Sequence, residues 1–80
     1  MLEGDELLMA LFSKLEEEAH ELRTAPRAER IEELADILEV IHTLARKFGL
    51  DMAELERADD AKRAERGGFD GGLWLVSRIP

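Results

Sequence analysis

Residues 31–49 read IEELADILEVIHTLARKFG and predict the most apolar helix of the chain. Apolar side chains recur there at helical spacing, in two neighbouring stripes. The first stripe holds Ile31, Leu34, Leu38, Ile41, Ala45 and Phe48, and the second holds Ile37, Val40 and Leu44. A helix that is apolar over so much of its circumference is normally buried, and one partner helix cannot cover both stripes. We therefore expect another subunit to supply the remaining cover.

This helix is predicted over about residues 27–48, with a start and a stop signal. Thr24 is a cap candidate, and Pro26 suits a helix start because its missing amide hydrogen costs nothing there. Arg46 and Lys47 lie in the last predicted turn, and Gly49 is predicted to take the left-handed position of a Schellman-type stop. Because the connection before the helix is short, we expect it to return antiparallel to the helix that precedes it.

The preceding helix is predicted over about residues 5–23, with Asp5 as its N-cap. Its packing seam runs through Leu8, Leu11, Leu15, Glu18 and Leu22. Glu18 therefore stands where a core leucine is expected. An antiparallel return brings the Glu33–Asp36 turn of the second helix beside the Glu17–Glu21 turn of the first. Carboxylates that converge in a partly buried place repel one another and lose hydration, and a hard divalent cation would resolve that conflict.

A third helix is predicted over about residues 51–66, where Asp51 and Glu54 have the spacing of a capping box. The tail, residues 67–80, begins with glycines and continues with β-forming residues around Trp74, which we interpret as a packing anchor or interface residue. We predict one all-α domain over residues 1–80. It is an antiparallel helical hairpin with a third helix and a short extended tail. A four-helix-bundle core forms by assembly into a homodimer or homotetramer.

Composition excludes several classes of function. The 80 residues include no cysteine, so disulfides and thiolate metal sites are absent, and two histidines argue against a histidine-rich zinc site. A formal net charge of -8 argues against binding to a nucleic acid polymer. No stretch is long and apolar enough to span a membrane, and the first residues lack the pattern of a signal peptide, so we expect a cytoplasmic protein without a membrane partner.

Two acidic motifs and one basic stretch carry a family resemblance. The chain has Glu17-Glu18-x-x-Glu21, then about a dozen residues later Glu33-x-x-Asp36, and then KRAERGGF at residues 62–69. This order resembles the all-α nucleoside triphosphate pyrophosphohydrolases of the MazG-like superfamily, which also includes phosphoribosyl-ATP pyrophosphohydrolase. The KRAERGGF stretch is similar more narrowly to the small house-cleaning members of that superfamily. The resemblance covers about residues 7–75.

The resemblance implies a reaction and a set of site residues. The reaction is hydrolysis between the α and β phosphates of a nucleoside triphosphate, which releases a nucleoside monophosphate and pyrophosphate. The implied cofactor is magnesium, or manganese in its place, since both accept oxygen ligands and substrate phosphates. The implied metal ligands are Glu18, Glu21, Glu33 and Asp36. Glu17 would be a further ligand or the base that accepts a proton from the attacking water. Lys62 and Arg66, one helical turn apart, would hold the outer phosphates.

Each feature also has a plainer interpretation. An acidic run such as residues 16–18 is most often a solvated helix face, and the basic residues near Lys62 can simply pair with Asp59 and Glu65. We expect His20 at the surface and His42 partly buried, neither with a catalytic role. Two alternatives to a nucleoside triphosphate pyrophosphohydrolase stay open: a non-catalytic helical interaction module, and a phosphoribosyl-ATP pyrophosphohydrolase.

Overall fold

The computed structural model describes residues 4–69 and confirms an all-α fold. The helices of this part of the chain are α1 (Gly4–Thr24), α2 (Arg30–Lys47) and α3 (Met52–Arg66), and a short 3-10 helix at Arg27–Glu29 leads into α2. No strand occurs within residues 4–69. The extended segment and packing anchor predicted around Trp74 lie outside the described residues.

No helix among residues 4–69 combines the length and the apolar character that crossing a membrane requires. The chain divides after Leu50 into two compact units. The first unit contains α1 and α2, and the second contains α3.

Helices α1 and α2 pack against each other as an antiparallel hairpin, as predicted. The direction follows from the connection of residues 25–29, because two long helices joined by so short a segment pack along their length only when they are antiparallel. A cleft between them is lined from α1 by Leu11, Lys14 and Glu18, and from α2 by Asp36, Glu39, Val40 and Thr43. Positions early in α1 therefore lie opposite positions late in α2. The arrangement brings the last turns of α1 beside the first turns of α2, which is where both acidic motifs fall.

The seam between the two helices has the predicted composition. Val40, Leu44 and Ala45 of α2 are buried, and Ile37 is half-buried on the same face as Val40 and Leu44. From α1 the half-buried side chains are Leu8, Leu11, Leu15 and Leu22. Glu18 continues that row and is only 3% exposed. The hairpin thus covers the second apolar stripe of α2 and places a carboxylate where the pattern calls for a leucine.

The first apolar stripe of α2 is left largely uncovered. Ile31 is 74% exposed, and Leu34 and Leu38 are 53% and 50% exposed. These three residues lie on one face of the helix, because their spacings are three and four residues. The expectation that a single partner helix cannot cover both stripes of α2 agrees with these exposures.

The ends of the helices follow local sequence signals, with three differences from the predictions. Asp5, expected as the N-cap of α1, lies inside its first turn, because the helix already begins at Gly4. The end of α2 is a Schellman stop: the amide of Leu50 donates to the Ala45 carbonyl at 2.8 Å, and Gly49 has φ +75°. Thr24, expected to cap the second helix, instead ends α1, where its hydroxyl donates to the Glu21 carbonyl at 3.3 Å. The segment Arg27–Glu29, expected as the first turn of α2, is a 3-10 helix that begins after Pro26.

The second unit begins with the predicted capping box. The Glu54 amide donates to Asp51 Oδ1 at 2.8 Å, and the Asp51 amide donates to Glu54 Oε1 at 3.2 Å. Both bonds satisfy amides that have no partner inside the helix. The helix ends at Gly67, whose φ of +78° is easily adopted only by glycine.

Candidate metal centre

The first acidic motif lies in the fourth and fifth turns of α1. Glu17, Glu18 and Glu21 fall within four residues, about one helical turn, so they lie along one side of the helix. Each offers a carboxylate oxygen, and the three oxygens lie within 4.8 Å of one another. Glu18 is buried, Glu21 is half-buried and Glu17 is exposed. The motif therefore reaches from the inside of the hairpin out to solvent.

The second acidic motif meets the first across the hairpin. Glu33 and Asp36 are three residues apart on the first turns of α2, and with Glu18 they bring three carboxylate oxygens within 4.8 Å of one another. Glu18 belongs to both groups and joins them. The structure thus brings together all five acids that the sequence analysis named: Glu17, Glu18, Glu21, Glu33 and Asp36.

Two oxygens in this cluster are buried and without a hydrogen-bond partner among the described residues. They are Glu18 Oε2 and Glu33 Oε2, one from each helix. Burying a carboxylate oxygen removes its hydration, which is unfavourable unless a new hydrogen bond or a cation replaces the water. Buried oxygens without a partner are therefore rare in folded proteins. An ionised carboxylate only accepts hydrogen bonds, and the acids that surround these two oxygens have no hydrogen to donate when they are ionised. A proton on one acid, an ordered water or a bound cation can each satisfy such an oxygen.

Lys14 is a member of the site that the sequence analysis missed. Its Nζ lies 3.0 Å from Glu18 Oε1 and 3.6 Å from Glu17 Oε1. The only signal in the sequence is that Lys14 precedes Glu18 by four residues, a spacing that is common on solvated helices. Lys14 occupies one oxygen of Glu18 and leaves the other, Oε2, without a partner.

The pKa values of Glu18 and Glu33 are shifted in opposite directions. The Lys14 ammonium, which contacts the Glu18 carboxylate, lowers the pKa of Glu18 in spite of burial. Burial, together with the Glu18 and Glu21 carboxylates, raises the pKa of Glu33 from 4.5 to about 7. The two acids therefore differ in proton affinity: Glu18 ionises readily, and Glu33 keeps its proton to a higher pH than an ordinary glutamate.

The residues present fit a small, hard divalent cation. All donors are carboxylate oxygens, they come from two rigid helices, and two of them are buried without a partner. Magnesium and manganese prefer such oxygen donors, whereas zinc in proteins is bound mainly by sulfur and nitrogen. His20 is exposed and His42 is half-buried, as expected. Neither histidine belongs to an acidic cluster that could hold a metal ion within residues 4–69.

A cleft of about 270 Å³ adjoins the acids on the side of Lys14. Its walls combine Glu18 and Asp36 at one end with Leu11 and Val40 further along. The Thr43 hydroxyl donates to the Glu39 carbonyl at 3.0 Å, and Arg46 Nη2 donates to Thr43 Oγ1 at 3.1 Å. The cleft thus has a charged end, an apolar floor and a polar rim.

The predicted phosphate ligands lie in the second unit. Lys62 and Arg66 line a small cleft of about 110 Å³ at the end of α3, together with Arg63 and Gly67. Arg63 Nη2 pairs with Asp59 Oδ2 at 3.2 Å, which confirms the plainer interpretation for that residue. The basic side chains of this stretch thus share one surface of their own unit.

No protein-family model, no curated protein and no solved structure matches this chain. The resemblance to the MazG-like superfamily therefore stays a prediction from the order and spacing of the motifs.

Proposed function

We propose that this protein is a magnesium-dependent nucleoside triphosphate pyrophosphohydrolase that releases a nucleoside monophosphate and pyrophosphate. The observation that supports the proposal best is Glu18, a carboxylate that is 3% exposed and has one oxygen without a partner among the described residues. A helix that only needed solubility would place its acids in solvent. Glu18 is instead buried among other acids, with Lys14 at one oxygen and no partner at the other, and a bound cation would complete this arrangement.

The ligands of the proposed metal site are Glu18 and Glu21 from α1 and Glu33 and Asp36 from α2. When bound, magnesium or manganese would neutralise phosphate oxygens and lower the pKa of a water molecule. The protein contributes ligands that are already in place. Glu18 and Glu33 are held by helices that pack on each other through Val40 and Leu44, so their carboxylates need little rearrangement to accept an ion.

Glu17 is the proposed general base. Its side chain is 56% exposed, and its carboxylate lies within 4.8 Å of the Glu18 and Glu21 oxygens. Glu17 is therefore next to the proposed ligands while it remains accessible to water. An ionised carboxylate in that position can accept the proton that an attacking water loses.

Lys62 and Arg66 are proposed to bind the outer phosphates of the substrate. Both side chains line the cleft at the end of α3, and their positive charge suits phosphate oxygens. Their assignment rests on charge and on the position of the KRAERGGF stretch in the resembling family. The substrate would bring the metal with it, which lets an anion approach a chain of net charge -8.

Self-association is part of the proposal. Ile31, Leu34 and Leu38 are each at least half exposed on one face of α2. Burying that stripe against the same stripe of a second copy would complete a four-helix core from two hairpins. We propose a homodimer, or a homotetramer built from such dimers.

The test is pyrophosphate release from a panel of canonical and non-canonical nucleoside triphosphates, with and without magnesium. The natural chain is compared with Glu33→Gln, which keeps the shape of the side chain and deletes its charge. We expect magnesium-dependent release by the natural chain and none by the variant. The matched control is Glu32→Gln, because Glu32 is exposed and lies outside the acidic cluster. The control should retain the activity of the natural chain.

A second candidate is a non-catalytic helical interaction module, and the exposed stripe of α2 is the observation that favours it. A folded, oligomeric protein that releases no pyrophosphate from any triphosphate would contradict the first proposal. Phosphoribosyl-ATP would then be the next substrate to test. Absence of activity on that compound, and of any magnesium binding, would favour the interaction module.

A further inference from the structure

Lys14 supplies the positive charge nearest to the buried part of the acidic cluster. Its Nζ contacts Glu18 Oε1 at 3.0 Å, while Glu18 Oε2 has no hydrogen-bond partner among the described residues. The Lys14 side chain is 52% exposed, and its ammonium reaches the cluster from the adjoining cleft. The ammonium therefore partly neutralises the carboxylate, and it does so from the solvent side.

We propose that Lys14 is the resident counter-ion of this site and that it limits how tightly the site binds a divalent cation. The inference rests on the proposed metal site. Lys14 holds Oε1 of Glu18 and leaves Oε2 for the ion, so ammonium and ion can share the carboxylate. They repel each other while they share it. The affinity for the ion is therefore lower than five carboxylates alone would give.

The charges around Lys14 favour this role over that of an ordinary surface pair. From its own helix it faces Glu17, Glu18 and Glu21. Across the cleft it faces Asp36 and Glu39, of which Glu39 is already paired with Arg46 at 3.7 Å. A surface pair joins two solvated side chains, whereas Lys14 meets an acid that is 3% exposed. Without Lys14, the buried Glu18 would face only other acids.

Two opposite effects of replacing Lys14 follow from this arrangement. The metal-free hairpin loses a favourable contact to a buried acid and should become less stable. The ion no longer meets a positive charge beside its ligand and should bind more tightly. Replacing a residue with a purely structural role would lower stability without tightening metal binding. Lower stability together with tighter metal binding therefore identifies a counter-ion.

The experiment measures Mn²⁺ affinity by calorimetry and the metal-free melting temperature for the natural full-length chain and its variants. Lys14→Met should bind Mn²⁺ roughly tenfold more tightly and melt at a lower temperature without metal, since an exposed charge pair contributes a factor of a few and the ion carries two charges. Lys14→Arg keeps the charge and should match the natural chain. Lys14→Gln is a second neutral variant that should behave as Lys14→Met does.

The control for net charge is Lys47→Met. Lys47 is exposed in the last turn of α2, far from Glu33 and Asp36 along the helix, so its loss changes the charge of the protein but not that of the site. If Lys14→Met and Lys14→Gln bind Mn²⁺ no more tightly than Lys47→Met, Lys14 is not a counter-ion that limits affinity. If neither the natural chain nor any Lys14 variant binds Mn²⁺, the proposed metal site itself is wrong, and this inference falls with it.

Discussion

Glu18 of α1 and Glu33 of α2 each bury one carboxylate oxygen without a hydrogen-bond partner in the described part of the chain. Oxygens of the two residues lie within 4.8 Å of each other. Keeping both carboxylates ionised at this place is unfavourable, and a proton or a cation that reduces their charge relieves the repulsion. The pair therefore links three properties of the protein: its stability, its pH dependence and its proposed metal binding.

The stability of the metal-free protein should fall as the pH rises from about 4.5 to about 7. Burial and the neighbouring acids raise the pKa of Glu33 from 4.5 to about 7 in the folded chain. In this window the folded state holds a proton that the unfolded state releases, so a rise in pH favours unfolding. Glu18 has the opposite effect on stability, because Lys14 lowers its pKa in the folded chain. The stability that the ionised Glu18 contributes is lost only as the pH falls below about 4.5. Urea unfolding over this pH range, without metal, measures the effect.

Glu33→Gln is the control for that pH dependence. The variant has no proton to release at this position, so the part of the fall in stability that Glu33 causes should disappear over the same window. Metal binding should show the opposite trend in the natural chain, with Mg²⁺ affinity rising with pH until about 7, because the ion binds the ionised carboxylate. An equal slope in the variant and the natural chain would contradict this role for Glu33.

Glu18→Leu should separate stability from function. Leucine suits the seam position that Glu18 occupies and removes the buried charge, so the melting temperature of the metal-free protein should rise. The same change should abolish Mg²⁺ binding and turnover. Lys14 is half-exposed and can be solvated once its partner is gone. Differential scanning calorimetry with and without Mg²⁺ measures both effects.

Glu16→Leu is the matched control for Glu18→Leu. Glu16 is exposed on the same helix and lies outside both acidic groups. Its replacement should leave Mg²⁺ binding unchanged and give no comparable rise in melting temperature. A Glu18→Leu protein that is less stable than the natural chain would show that Glu18 is not a charge held in the core at a cost to folding.

Much of the fold could be predicted because its signals are local. The capping box at Asp51 and Glu54 and the Schellman stop at Gly49 depend on residues within a few positions of each other, and both are present as expected. The seam position of Glu18 also follows from periodicity within one helix. These features need no knowledge of the rest of the molecule.

The parts of the site that were missed depend on packing. Lys14 precedes Glu18 by the same four residues as many exposed pairs do, and only the burial of Glu18 makes this pair different. Which carboxylate oxygens lose their partners likewise depends on how closely α1 and α2 approach. Thr24 was assigned to the wrong helix because the residue can cap a following helix or bond to the preceding turn, and the 3-10 helix at Arg27–Glu29 separates it from α2.

Gly49→Ala should destabilise the protein by about 1–2 kcal/mol, because alanine is strained in left-handed conformations. Gly49 has φ +75°, and a Cβ built at this position meets no atom within 4 Å. The expected cost therefore comes from the backbone and not from a clash. Gly49→Asn should cost less, since asparagine tolerates this region better. Chemical denaturation of the three proteins measures the differences, and an unchanged stability in Gly49→Ala would contradict the Schellman stop.

The exposed stripe of α2 should control self-association without being needed for folding of the hairpin. Leu34 and Leu38 are 53% and 50% exposed, so changing both to glutamine removes little buried area within the chain. If the stripe is buried between copies, each leucine contributes up to about 1.5–3 kcal/mol there. The double variant should then associate about a hundredfold more weakly.

Sedimentation equilibrium measures the oligomeric state of each protein, and circular dichroism measures its helical content. We expect an oligomer for the natural chain, and a helical monomer for the double variant at the same concentration. Met9→Gln is the control, because Met9 is 65% exposed on α1 and lies on the other helix. It should leave the oligomer intact. A natural chain that is a well-folded monomer would contradict the proposed assembly, because the stripe would then face solvent in the working protein.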